Sequence, residues 1–385
     1  MAEDWQNGGF GLYVHWPYCE AKCPYCDFNS HVARWIDHDR WTSAYKAEIA
    51  RVRDEIGPRL LNSIYIGGGT PSLMQPETVA TVIEAATTAW TPANDIEITL
   101  EANPGSVERA RFAAFAEAGV NRVSMGIQAL NDPDLHKLGR IHGRDDALRA
   151  FDIARDVFDR VSFDLIYARQ DQSKAAWEDE LSEALSMAVD HLSLYQLTIE
   201  SGTAFGDRHA RGGLKGLPDE DLSADMFEAT QATCAAHGFP AYEVSNHAKP
   251  GAESRHNGIY WRYGDYAGIG PGAHGRITRD GTRYATVEPK SPAKWLDAAS
   301  SGRSMRSTDA LTMQEQADEM MLMGMRLYSG VSVSRFASLS PDPLELTKVR
   351  GLVDDGLLIL DKDRIAATPA GMQVLNHILR RLLAR

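Results

Sequence analysis

The chain has 385 residues, 43% of them hydrophobic and 24% charged, enough for one large core with a smaller unit attached. A formal net charge of -13 argues against nucleic-acid and anionic-membrane partners, which need concentrated Lys and Arg. No stretch approaches the roughly 18 apolar residues of a transmembrane span, the first residues (MAEDWQNGGF) carry no signal-peptide pattern, and free thiols suit a reducing compartment, so a cytoplasmic protein is expected.

The first predicted strand, residues 11–15, leads into Cys19-Glu-Ala-Lys-Cys23-Pro-Tyr-Cys26, which gathers three of the four cysteines into eight residues. A 4Fe-4S cube offers one corner to each of four ligands, so three local thiolates would leave one iron open. Zinc held by the same thiolates with His15 or His31 is the rival reading, although structural zinc sites usually join two separated hooks. Trp16, Pro17, Tyr18, Pro24, Tyr25 and Phe28 surround the thiols and would either shield a cluster from water or simply pack.

Further strands are predicted at 63–66, 96–101, 122–128, 161–167 and 191–197. Between them, helices are predicted at 39–56, 76–89, 107–118, 144–157 and 174–188, with Ser106 and Ser173 as N-caps. Strand and helix alternating six times describe parallel βαβ units, and the apolar strands suggest burial on both faces. The expected fold is α/β, a partial (β/α)6 relative of the TIM barrel, with its working residues at the C-terminal strand ends.

Those ends are polar. Gly67-Gly68-Gly69-Thr70-Pro71-Ser72 follows the second strand and bares main-chain groups that could hold a small zwitterion, while lacking the lysine of a P-loop. Glu101, Gln128 and Asp164 mark the next three strands, and Arg140 could form a fork with a ligand carboxylate. Asp164 interrupts an apolar run, so it is expected to face a polar cleft.

Residues 202–218 read as a Gly- and Arg-rich loop, followed by a helix at 220–237 and a Gly/Tyr/His-rich stretch at 242–275. The tail from about 292 is helical and ends in a small winged-helix-like unit: a helix at 344–355, strands at 357–360 and 364–367, and a final helix capped by Thr368. Seven Lys/Arg against five Asp/Glu in 344–385 make packing the expected role of this unit rather than DNA binding. The division expected is a barrel at 1–240, a connecting segment at 241–291 and a C-terminal domain at 292–385.

The ordered runs GLYVHWPYCEAKCPYCDF, YIGGGTPS, EANPGS, SMGIQALNDPDLHKLGR, FDLIY and HLSLYQLTIESGTAF resemble the radical S-adenosylmethionine (SAM) superfamily. The resemblance is to the branch holding oxygen-independent coproporphyrinogen III dehydrogenases and related heme chaperones, and it covers nearly the whole chain. It implies that Cys19, Cys23 and Cys26 ligate a 4Fe-4S cluster whose open iron is chelated by SAM. It further implies that Tyr13 and Tyr25 lie along SAM, that Gly68, Gly69 and Thr70 hold its methionine end, and that Glu101, Gln128, Arg140 and Asp164 contact the rest. One departure stands out: the branch's DLIYGLPGQ is here DLIYARQDQ, with Ala168, Arg169 and Gln170 in place of the Gly-Leu-Pro turn.

Within that branch the decarboxylating enzymes resemble CxxxCxxCxC and carry a longer N-terminal arm, whereas here the last position is Phe28 and 18 residues precede Cys19. The run His256-Asn257-Gly258-Ile259-Tyr260-Trp261 matches the HNxxYW motif associated with heme binding in the chaperone members. His256 could be an axial heme ligand with Tyr260 and Trp261 stacking along the macrocycle, or a satisfied loop histidine beside aromatics that plug the barrel. His274 is a second heme candidate, and Met320, Met321, Met323 and Met325 read as helix core. The expected function is a heme chaperone carrying 4Fe-4S, SAM and heme and handing heme to an acceptor protein, with a homodimer as the candidate assembly. The alternative is a coproporphyrinogen III dehydrogenase.

Overall fold

The computed structural model describes residues 3–342 and 344–384. Among these residues, eleven strands form one open sheet, and its middle six run parallel. They are β1 (Phe10–Trp16), β2 (Leu60–Gly68), β3 (Thr91–Ala102), β4 (Arg122–Gln128), β5 (Arg160–Tyr167) and β6 (His191–Gln196), each hydrogen-bonded to the next. Helices α1 (His38–Ile56), α2 (Pro76–Ala89), α3 (Arg109–Glu117), α4 (Arg144–Val157) and α5 (Lys174–Met187) alternate with them, so the architecture is the expected partial (β/α)6 barrel. No helix among the described residues is long and apolar enough to cross a membrane.

The strands differ from the expectation in one respect that matters for function. Successive side chains of a strand point to opposite faces. Ile64, Ile66, Ile98, Leu100, Val123, Met125, Val161 and Phe163 share a buried core with Trp41, Tyr45, Ile49 and Val52, the apolar stripe of α1. The alternate positions bond across the strands instead: Arg122 to Thr99 and Ser162, Ser162 to Ser124, Ser124 to Asp164, and Tyr65 to Glu101. Only one face is apolar, and the inner face is a polar ladder, whose buried groups are satisfied by bonding one another across the strands.

The region at 241–291 contributes four strands to this sheet. Asp265–Ile269 runs parallel beside β1, and His274–Arg279 and Thr282–Val287 extend that edge antiparallel. At the other edge Asn246–Ala248 pairs with β6. A second core, containing Met320, Met321, Met325, Val349, Leu352, Ile365 and Ile378, holds the C-terminal helices on a three-stranded sheet. Met323 stays outside that core.

Two local expectations are corrected. Ser173 caps α5, accepting from the Ala176 amide at 3.2 Å, but Ser106 does not cap α3. It sits in a 3-10 turn whose hydroxyl bonds Asn103 O and Ser72 Oγ, a local competitor to the capping role. Residues 202–218 are also more ordered than their composition suggests, since Thr203 caps a helix at Ala204–Ala210 and Phe205 N donates to Pro24 O at 2.8 Å, backing the cysteine loop.

The atypical segment after β5 keeps the turn without its glycines. Ala168 and Asp171, where the family pattern has Gly, hold φ of 57° and 60°, a conformation that costs a side-chain-bearing residue about 1–2 kcal/mol. Arg169 offsets that strain: it is buried and paired with Asp134 at 2.8 Å and with Glu180, while Gln172 bridges Arg169 N and Glu180.

Candidate metal and cofactor site

The cysteine loop and the glycine loop are built on one another. Gly69 N donates to Trp16 O at 2.7 Å and Thr70 N to Tyr18 O at 2.8 Å, which ties the end of β2 to the backbone that enters the CxxxCxxC turn. A Cβ on Gly69 would stand 2.6 Å from Tyr18 O, and Gly68 holds φ of 114° with its amide donating to Glu101 Oε2 at 3.0 Å. Gly69→Ala is therefore expected to push the cysteine loop away from β2. The reconstituted variant should lose most of its iron while keeping a wild-type far-UV spectrum; full iron content would refute the role of this contact.

Cys19, Cys23 and Cys26 are free thiols, and all three line one cavity with Tyr25, Phe28, Gly68, Gly69, Thr70, Glu101, Gln128, Arg140 and Asp164. The donor set suits a 4Fe-4S cluster, with three soft ligands on one loop and bare backbone beside them. In this conformation the thiols share a wall without already forming a ready-made ligand group among the described residues. Tyr13 is not in that wall; its hydroxyl bonds His15 Nδ1 at 2.9 Å. Arg140, read from sequence as a carboxylate fork, donates to Cys23 Sγ at 3.4 Å and Gly126 O at 2.8 Å, and its buried Nε has no partner among the described residues. Gln128 adopts φ of 78° at a β-bulge, the kind of backbone strain that re-aims a side chain at a site.

Two carboxylates face this cavity. Glu101 is pushed up to about 7 by burial, opposed by the Tyr65 hydrogen bond and reinforced by the nearby Asp164 charge. Asp164 is pushed up to about 6, again by burial, against the hydroxyls of Ser193 and Ser124 and the Arg122 charge. A cationic ligand between them would draw both toward ionisation. Because the folded-state value of Glu101 is raised, its contribution to stability is full below its unfolded value near 4.5 and is lost as pH rises through about 7. Glu101→Gln should thus lose less stability than wild type between pH 5 and 8 in the ligand-free protein. Denaturant midpoints that fall in parallel would contradict this.

The HNxxYW run occupies the opposite end of the strands. Ser254 caps a helix at Arg255–Trp261, and His256 N donates to Glu97 Oε1 at 3.2 Å, near the start of the inner ladder. His256 is buried and both ring nitrogens are engaged, with Ser63 Oγ at 2.7 Å and the Tyr260 hydroxyl at 2.9 Å. Burial and then Arg122 hold it down to about 3, so it stays neutral. Tyr65 links the two ends: its hydroxyl donates to Glu101 at 2.7 Å while its ring stacks on His256 at 4.8 Å. Asn257, Tyr260 and Trp261 line a different cavity, against the C-terminal helices, and His274 is exposed and lines neither.

Tyr65, Ser63, Ser124 and Ser193 are site residues that sequence reading missed. The available signal was period-two alternation: Ser63 and Tyr65 fall two residues apart and lead to Gly67, as Glu97 and Thr99 lead to Glu101.

Comparison with known proteins places this geometry. A Radical SAM superfamily model matches residues 13–183, and a HemN C-terminal domain model matches 311–374. The chain is 41% identical to mitochondrial Radical S-adenosyl methionine domain-containing protein 1 of Mus musculus, over 97% of this chain and 87% of that one. It is 36% identical to heme chaperone HemW of Escherichia coli K12, over 97% and 98%. Among solved structures, coproporphyrinogen III oxidase (HemN) from Escherichia coli, described as a radical SAM enzyme, superposes with a TM-score of 0.80 at 21% identity, covering 99% of this chain and 92% of that one, which shows a shared fold. The chain belongs to the radical SAM superfamily, in the group that contains the HemW heme chaperones.

Proposed function

We propose that this protein is a HemW-type heme chaperone of the cytoplasm, which binds heme and passes it to an acceptor protein. Membership of the superfamily implies a 4Fe-4S cluster and SAM. Cys19, Cys23 and Cys26 would hold that cluster, Gly68, Gly69 and Thr70 would present main chain to the methionine end of SAM, and Glu101 and Asp164 would accept from its polar groups. When bound and reduced, such a cluster supplies an electron to SAM. The residues of this chain shape the cavity, set its polarity and limit water access.

The observation that carries the chaperone reading is the near-full-length likeness to HemW proteins together with Phe28, 62% exposed on the rim of the cavity, where decarboxylating relatives have a further cysteine. Two anaerobic measurements test it. Micromolar protein titrated with heme should shift the Soret band, and no shift overturns the reading. Reconstituted protein with SAM and reductant should leave coproporphyrinogen III unchanged, whereas formation of protoporphyrinogen IX would establish the dehydrogenase instead.

A further inference from the structure

The heme-carrier reading needs a side chain for the iron, and His256 does not present one, since both its nitrogens are bonded inside the barrel. The same helix instead turns Asn257, Tyr260 and Trp261 toward an open cavity of about 720 Å³ whose other wall is formed by the C-terminal helices. That volume lies within the roughly 300–1,000 Å³ of typical cofactor sites.

The far wall supplies what a metalloporphyrin needs. Two stretches each pair a potential iron ligand with a guanidinium three residues later, Met323 with Arg326 and His377 with Arg380. His377 and Arg380 share one face of the helix Leu375–Leu383, whereas Met323 is in the last turn of the helix Met313–Gly324 and Arg326 lies in the turn that follows it. The final helix breaks at Val374, between Pro369–Gln373 and Leu375–Leu383, and His377 lies in the first turn of the restarted segment. Among the described residues, neither guanidinium is in an ion pair: Arg326 donates to Leu322 O at 3.3 Å and Arg380 to Asn376 O at 3.1 Å. No hydrogen bond engages the ring of exposed His377 in the described residues, and the buried Nε1 of Trp261 has no partner. Glu243, a carboxylate in the wall, is already bonded to Asn246 and Ser245 N.

Resting on the heme-carrier reading, we propose that this cavity is the heme site, that the His377 imidazole ligates the iron, and that Arg326 and Arg380 hold the two propionates. An imidazole is a common axial heme ligand, aromatic walls suit the macrocycle, and guanidinium forks suit carboxylates. Met323, the methionine left out of the C-terminal core, lines the same wall.

The test is a heme titration of the full chain, followed by absorption and electron paramagnetic resonance, on wild type, His377→Ala, His256→Ala and Arg326→Gln/Arg380→Gln. Wild type should give the spectrum of an imidazole-ligated iron. His377→Ala should lose that signature and weaken binding about 10- to 100-fold, with added imidazole restoring the spectrum. The double glutamine variant should bind more weakly with its ligation spectrum intact. If His377→Ala matches wild type, or if a folded His256→Ala alone loses the imidazole signature, the assignment is overturned while the carrier reading stands. If wild type itself shows no Soret shift, both fall.

Discussion

Replacing Cys19, Cys23 and Cys26 together by serine is expected to give a folded, colourless protein. Iron and sulfide should fall to near zero from the roughly four of each per chain that a 4Fe-4S cluster brings to reconstituted wild type. The fold should survive because the three thiols are half-buried on a loop at a cavity edge and belong to neither large core. Cys234 provides the internal control. It is fully buried on α6 (Glu220–Ala236) within the barrel core, so Cys234→Ser should keep the iron and lose stability instead. Iron and sulfide assays beside circular dichroism decide the matter; a triple variant that retains iron, or a wild type that holds zinc, would remove the cluster from this loop.

Arg169→Ala should be strongly destabilising although it lies away from the cavity. Arg169 is 2% exposed and pairs with Asp134 and Glu180, and the other Glu180 oxygen accepts from Leu130 N at 2.6 Å. Removing the guanidinium leaves Glu180 buried and uncompensated, which costs about 3–5 kcal/mol. Restoring the family-like Gly-Leu-Pro-Gly at 168–171 should not repair this, because relief of two strained φ angles is outweighed by the stranded carboxylate. Adding Glu180→Gln to that restored turn should recover much of the loss. Denaturant midpoints for the four proteins check the ordering, and an Arg169→Ala variant as stable as wild type would show that the triad contributes little.

Much of the site was legible because its chemistry is local. The CxxxCxxC spacing, the GGGTPS turn and the polar residues ending the strands follow from short-range requirements: thiolates on one loop, φ angles open to glycine, and a carboxylate that an apolar strand would not otherwise contain. The parallel barrel followed from strand and helix alternation. What stayed hidden depended on partners distant in sequence. The loop assigned to 202–218 holds a helix because Phe205 docks on Pro24, and Arg169 looked like a defect in a turn until Asp134 and Glu180 appeared beside it.

The sequence by itself determined the order of strands and helices and the local cysteine and glycine loops, since these rest on periodicity or on spacing within a few residues, and the ordered motifs carried the resemblance to the superfamily. Only the tertiary structure decided where the HNxxYW segment sits. A histidine beside two aromatics reads alike as an iron ligand or a barrel plug, and in the fold Ser63, 193 residues away, bonds His256 Nδ1 while Tyr260 takes Nε2. Folding satisfies that imidazole because an unpaired ring nitrogen buried among Tyr65, Glu97 and Arg122 would cost more than the hydrogen bonds do. The same packing leaves His377, on a helix whose break sequence reading did not foresee, beside the cavity with no hydrogen bond to its ring among the described residues.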